Sequence, residues 1–162
     1  MNEKVEIFRK RMSNPFLYRL FLWLKLPAAF WSGLRLKSID YEKAVVTIPF
    51  KRLTQNPFGS TYFASLSMAA EMSTGVLALM ATQGDVPISM LLVKMEAQFT
   101  KKAMGITTFT CTDGKKFFDA MDKTRTTGEG LTINCESIGL NAQGEEVARF
   151  NITWSFKAKL KK

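Results

Sequence analysis

Between Leu53 and Gly84 the chain carries one charged residue, Glu71. Within that stretch residues 61–83, TYFASLSMAAEMSTGVLALMATQ, are rich in Ala, Leu and Met. They predict one long helix despite Gly75, with Gly84 as its C-terminal stop. A helix this short of charge needs cover on nearly every side. A curved antiparallel sheet wrapped around it would supply that cover.

The flanking segments read as such a sheet. Leu34 and Leu36 alternate with Arg35 and Lys37, and residues 44–50, AVVTIPF, form a short β-branched run with Pro49 near its end. After the helix, Leu91, Val93, Met95, Ala97 and Phe99 alternate with Met90, Leu92, Lys94, Glu96 and Gln98. Residues 106–112 are a Thr-rich strand. Residues 113–130 are a charged connection with room for a short helix around Lys116 to Met121. Residues 131–140 are a strand, followed by a turn at 141–144. The last strand alternates most clearly: Ala148, Phe150, Ile152, Trp154 and Phe156 point one way, Val147, Arg149, Asn151, Thr153 and Ser155 the other. The basic end, Lys157 to Lys162, is expected to be frayed and solvated.

Ahead of the strands, residues 14–31, NPFLYRLFLWLKLPAAFW, predict an amphipathic helix that Pro27 ends or kinks. Packing on the core is the favoured reading. A lid over an apolar ligand or a contact with membrane is the alternative. The whole chain, 162 residues, has the size of one domain. Its parts are an N-terminal helical extension (1–33), a core (34–157) and a basic tail (158–162).

Composition narrows the chemistry. There is no histidine, which removes Ser-His-Asp and Cys-His nucleophile systems and His-ligated metals. Two cysteines are too few for a four-cysteine zinc site, and no metal is expected. Cys111 and Cys135 fall in strands with no secretory signal before them, and are expected as free buried thiols. Acid–base work is left to carboxylates, Lys, Tyr or Cys. The formal charge of +9 suits an anionic partner. Most aromatics fall on core faces, without a basic-aromatic motif of the RNA-binding type, so nucleic acid is not expected. Arg19, Lys25 and Pro27 interrupt the N-terminal apolar run, so no spanning helix is predicted there. A cytoplasmic location is expected.

Glu71 is the candidate functional group. At about 100° per residue its helix face carries Ala64, Ser67, Met68, Thr74, Gly75, Ala78 and Thr82, mostly small. The opposite face, with Tyr62, Leu66, Ala69, Val76, Leu77 and Met80, reads as core. A carboxylate in apolar surroundings acquires a raised pKa or a dedicated partner. Glu71 is then either a functional acid or a structural one, bonded to Ser67 or Thr74 or paired across a dimer interface.

The run Asn56-Pro57-Phe58-Gly59-Ser60-Thr61-Tyr62-Phe63-Ala64, followed by Glu71, resembles hotdog-fold acyl-CoA thioesterases of the phenylacetyl-CoA thioesterase type. Asn56, Gly59-Ser60 and Glu71 match that family's pattern. Tyr62 stands where it has His, and Phe63-Ala64 replace Gly-Gly. The resemblance covers about residues 34–157 and implies an α+β hotdog fold, a long central helix wrapped by a curved antiparallel sheet. The implied activity is hydrolysis of an acyl-coenzyme A thioester, with Glu71 activating water and Asn56 orienting the water or the carbonyl. Gly59, Ser60, Thr61, Tyr62 and Phe63 would form the oxyanion and substrate-binding turn, using the N–H groups of Tyr62 and Phe63. Lys101 and Lys102 stand where the family often has a basic turn near the coenzyme A phosphates. Lys115-Lys116 and the tail are further candidates. Coenzyme A enters as part of the substrate, with no other cofactor. A homodimer, or a tetramer of hotdog dimers, is implied, with the site at the subunit interface. The alternative is a non-catalytic protein that binds an acyl-thioester or lipid.

Overall fold

The computed structural model describes residues 3–159. Three helices open the chain: α1 (Glu3–Ser13), α2 (Pro15–Lys25) and α3 (Pro27–Ser32). Then follow β1 (Arg35–Ile39), β2 (Ala44–Pro49), α4 (Phe63–Thr82), β3 (Ile88–Phe99), β4 (Ile106–Cys111), α5 (Gly114–Thr127), β5 (Leu131–Leu140) and β6 (Glu146–Ala158). The strands form one sheet in the order β1-β2-β4-β5-β6-β3, and every pairing is antiparallel. β1 and β3 are therefore its two edges.

Helix α4 is the axis of the core. From Ser65 to Ala81 every residue is buried except Ser67, Met68, Glu71 and Leu79. The β6 residues Phe150, Ile152, Trp154 and Phe156 are all buried, as their alternation predicts. The C-terminal end of α4 is satisfied from outside. Arg125 of α5 donates through Nη2 to the carbonyls of Ala81 (2.7 Å) and Gln83 (3.0 Å). Gly84 is not a left-handed cap. It follows the extended residue Gln83, and a Cβ there would lie 3.0 Å from the Arg125 guanidinium. Cys111 and Cys135 are free and buried.

The N-terminal helix ends ahead of Pro27 as expected: Asn14 caps α2 by accepting from the N–H groups of Phe16 (3.0 Å) and Leu17 (3.2 Å), α2 stops at Lys25, and Pro27 starts α3 as its first residue. Three expectations are corrected. The charged connection is a full helix, because Phe117, Met121 and Thr124 are buried at i, i+4 and i+7. The alternation read into β3 is split by a bulge between Leu92 and Lys94. Leu91 and Val93 consequently face out, while Leu92 and Met95 pack on the core. Finally, Lys157 and Ala158 belong to β6 rather than to a frayed end. Residues 160–162 lie outside the described residues.

Candidate functional site

The loop before α4 is built by one side chain. Asn56 Oδ1 accepts from the N–H groups of Phe58 (3.0 Å) and Ser60 (3.1 Å), and Nδ2 donates to Ser60 Oγ (3.1 Å). The backbone closes the same turn, with Asn56 N–H donating to the Ser60 carbonyl at 2.9 Å. Gly59 takes φ +72°, which its lack of Cβ permits, and open space surrounds it. Thr61 anchors the loop to the β3–β4 connection: its N–H (2.8 Å) and hydroxyl (3.0 Å) both donate to the Ala103 carbonyl.

This loop and the N-terminus of α4 wall a groove of about 390 Å³. Asn56, Ser60, Thr61, Phe63, Lys101 and Lys102 all line it, with Phe99 as an apolar wall. Most of the expected substrate-binding turn and both expected phosphate-binding lysines are thus brought together. Gly59 and Tyr62 stand beside the groove rather than in its lining. Lys101 Nζ pairs with Glu145 at 2.6 Å, and Lys102 Nζ donates to the Phe58 carbonyl at 3.1 Å. Lys116 is not at the groove; it pairs with Asp113 at 2.7 Å.

The N–H groups at the helix start differ from expectation. Tyr62 N–H donates to the Thr54 carbonyl at 2.7 Å, so it is not available to an oxyanion. Ser65 and Leu66 N–H return to the Tyr62 carbonyl. Phe63 and Ala64 are the first two helical residues, and their N–H groups have no hydrogen bond among the described residues. The open donors are one position later than expected.

Glu71 lies elsewhere on the same helix. It faces a hollow of about 200 Å³ walled by residues 25–29, Met68 and Met72, where the α2–α3 junction crosses α4. Burial pushes its carboxyl above the ordinary carboxylate range, and among the described residues it has no hydrogen-bond or ion-pair partner. The alternative of a structural bond to Ser67 or Thr74 is not realised among the described residues: Ser67 Oγ donates to the Phe63 carbonyl, and Thr74 Oγ1 to the Glu71 carbonyl. The face of small residues is open only in part. Thr74, Gly75 and Ala78 are buried, with Trp154 against the first two. One chain does not join Glu71 to the groove: Glu71 is absent from the groove's lining and Asn56 from the hollow's.

The charge pattern on α4 singles out Glu71, and the turn residues single out Asn56–Phe63. Tyr18 was not foreseen. It is buried in the core, its hydroxyl has no partner among the described residues, and burial, reinforced by the Glu71 charge, raises its pKa. Its place in an i, i+4 pair with Leu22 on the inner face of α2 was the available signal. Among the described residues no cluster of three or more His, Cys, Asp or Glu could hold a metal.

A six-stranded antiparallel sheet curled around one long helix is the hotdog fold. The chain belongs to the DUF4442 family, described as a domain of unknown function, whose model matches residues 20–156. Solved structures share the fold at low identity. A protein of unknown function from Pseudomonas aeruginosa, given as a probable thioesterase, is 21% identical with a TM-score of 0.75; 91% of this chain and 99% of that one are covered. A thioesterase from Haemophilus influenzae is 13% identical with a TM-score of 0.64, covering 88% and 90%. A mutant of a thioesterase enzyme from Staphylococcus aureus is 15% identical with a TM-score of 0.59, covering 80% and 97%. No curated protein matches the chain.

Proposed function

We propose that this protein hydrolyses an acyl-coenzyme A thioester, with Glu71 as the base that activates water. The observation that carries the reading is Glu71 itself: a carboxylate with a raised pKa, no partner among the described residues, and a hollow in front of it. A base whose pKa is moved toward neutrality matches the proton it must take. The open N–H groups of Phe63 and Ala64, at the positive end of α4, would hold the thioester oxygen as charge develops on it. Asn56 acts by holding the turn in shape, since its carbonyl oxygen is committed to the loop. Thioesterases of the same fold support the reaction class.

Because the groove and Glu71 lie apart on one chain, the working site joins the groove of one subunit to Glu71 of a second copy. The β3 edge, with Leu91 and Val93 exposed, is the surface for that pairing. A sedimenting mass of twice 18.3 kDa checks the assembly, and a monomer at micromolar concentration contradicts it. Lys101 and Lys102 meet the phosphates at the mouth of the groove. The cytoplasm, where coenzyme A esters are made and used, is the proposed location.

A second reading has one observation in its favour. Tyr62 N–H is occupied, and Phe63-Ala64 stand where the resemblance implies Gly-Gly. That arrangement suits binding of an acyl-thioester without turnover. A thiol-release assay over a panel of acyl chain lengths separates the two: release supports hydrolysis, whereas saturable binding without release leaves the binding role.

A further inference from the structure

We infer that the outer face of α2 and α3 docks on an anionic phospholipid bilayer. Helix α2 gives the core little: of its residues, Tyr18 and Leu22 are buried. Its opposite face presents Phe16, Leu20 and Trp23 at i, i+4 and i+7, with Leu24 beside them. Phe16 is 75% exposed and Trp23 55%, and Trp31 of α3 is 62% exposed. An apolar surface this concentrated marks an interaction site. Aromatic rings with leucines on one helix face are what a water–lipid interface accommodates.

Charge chooses the occupant. From Asn14 to Ser38 the chain has four basic residues, Arg19, Lys25, Arg35 and Lys37, and no acidic one. All four are exposed. Arg19 lies within the apolar face, its guanidinium 4.3 Å from the centre of the Phe30 ring. Lys51 adds a further cation, bonded to the Trp31 carbonyl at 2.8 Å. Glu6, on the neighbouring α1, is neutralised by Arg9 at 2.6 Å. Cations set beside aromatic anchors, Arg19 at Phe30 and Lys51 at Trp31, complement lipid phosphates. A second copy suits the face poorly, because a two-fold pairing would oppose the same cations.

Residues 25–29 also wall the Glu71 hollow, so the docked face adjoins it. The docking itself is independent of thioester turnover, and its test uses no thioester. The full chain is mixed with vesicles of phosphatidylcholine alone, or with phosphatidylglycerol added, and followed by co-sedimentation and tryptophan emission. Trp154 is buried, so a blue shift reports Trp23 and Trp31. The expected result is binding to the anionic vesicles, a blue shift, and release as salt rises. Arg19→Gln and Lys25→Gln should each weaken partitioning about fivefold. The double variant Phe16→Ser, Trp23→Ser should abolish it with unchanged circular dichroism. Absence of binding to anionic vesicles at low salt overturns the inference. So does equal binding to neutral vesicles, or binding that survives the aromatic double variant. A fall in sedimenting mass for that variant, without vesicle binding by wild type, assigns the face to a second copy instead.

Discussion

Trp154 donates its indole N–H to the Thr74 hydroxyl across 3.0 Å, and that hydroxyl donates on to the Glu71 carbonyl at 3.0 Å. Strand β6 is thereby clamped to the turn of α4 that carries the acid. Gly75 makes the close approach possible. A Cβ at that position would lie 3.1 Å from Glu71 Oε1 and 3.3 Å from Trp154 Cζ2.

Gly75→Ala should therefore separate stability from activity. Alanine gains up to about 1 kcal/mol of helix propensity, and crowding of the Trp154 ring offsets it. Of the two neighbours, the carboxylate end is the freer to move. Urea unfolding should stay within about 1 kcal/mol of wild type, while thioester turnover falls. Unchanged turnover would show that the Glu71 position is immaterial to the reaction.

Asn56→Ala should loosen the groove by orphaning the buried Ser60 N–H, which costs about 1–3 kcal/mol. Asn56→Asp keeps the acceptor oxygen and should recover most of that loss. Denaturation midpoints compare the three proteins. Equal destabilisation by both variants would mean that the accepting oxygen is not what holds the turn.

Glu71 carries a pH signature. Its folded pKa is raised above the unfolded value by burial. The folded state thus holds the proton more tightly, and stability falls as pH rises from the unfolded pKa through the folded one. Above that window the ionised carboxylate opposes folding. Glu71→Gln removes the penalty, so the variant should melt higher than wild type at pH 8 and alike near pH 4. A difference that does not vary with pH would remove the buried charge from the account.

The lysines at the groove start in competition. Lys101 is paired with Glu145, which a phosphate must displace. Lys101→Ala with Lys102→Ala should raise KM for an acyl-coenzyme A more than it lowers kcat, and added salt should mimic the change. Glu145→Gln frees Lys101 and should lower KM. If neither substitution moves KM, the phosphates bind elsewhere.

The sequence announces some of these features and conceals others. The almost uncharged 61–83 segment needs cover, and the even alternation of β6 provides it, so the central packing is readable. In β3 the apolar residues stand on both faces, and nothing in their order shows that one residue is pushed out of the ladder at the bulge. Phe117, Met121 and Thr124 were spaced for a full helix, but the surrounding charges hid the pattern. At the site, Glu71 stands out because its neighbours are neutral. That Tyr62 N–H is spent on Thr54, and that Asn56 spends its oxygen on the loop, depends on contacts the residue order does not display. The gap between Glu71 and the groove is likewise a matter of helix phase and of the covering α2–α3 junction.

The central claim is that Glu71 activates water against a thioester, and thiol release by Glu71→Gln tests it most directly. The amide keeps the shape and removes the proton acceptor. With matched circular dichroism and sedimentation for the two proteins, the account predicts that wild type releases coenzyme A and that the variant is slower by about 10² to 10⁴. A folded Glu71→Gln protein releasing thiol at the wild-type rate would contradict it.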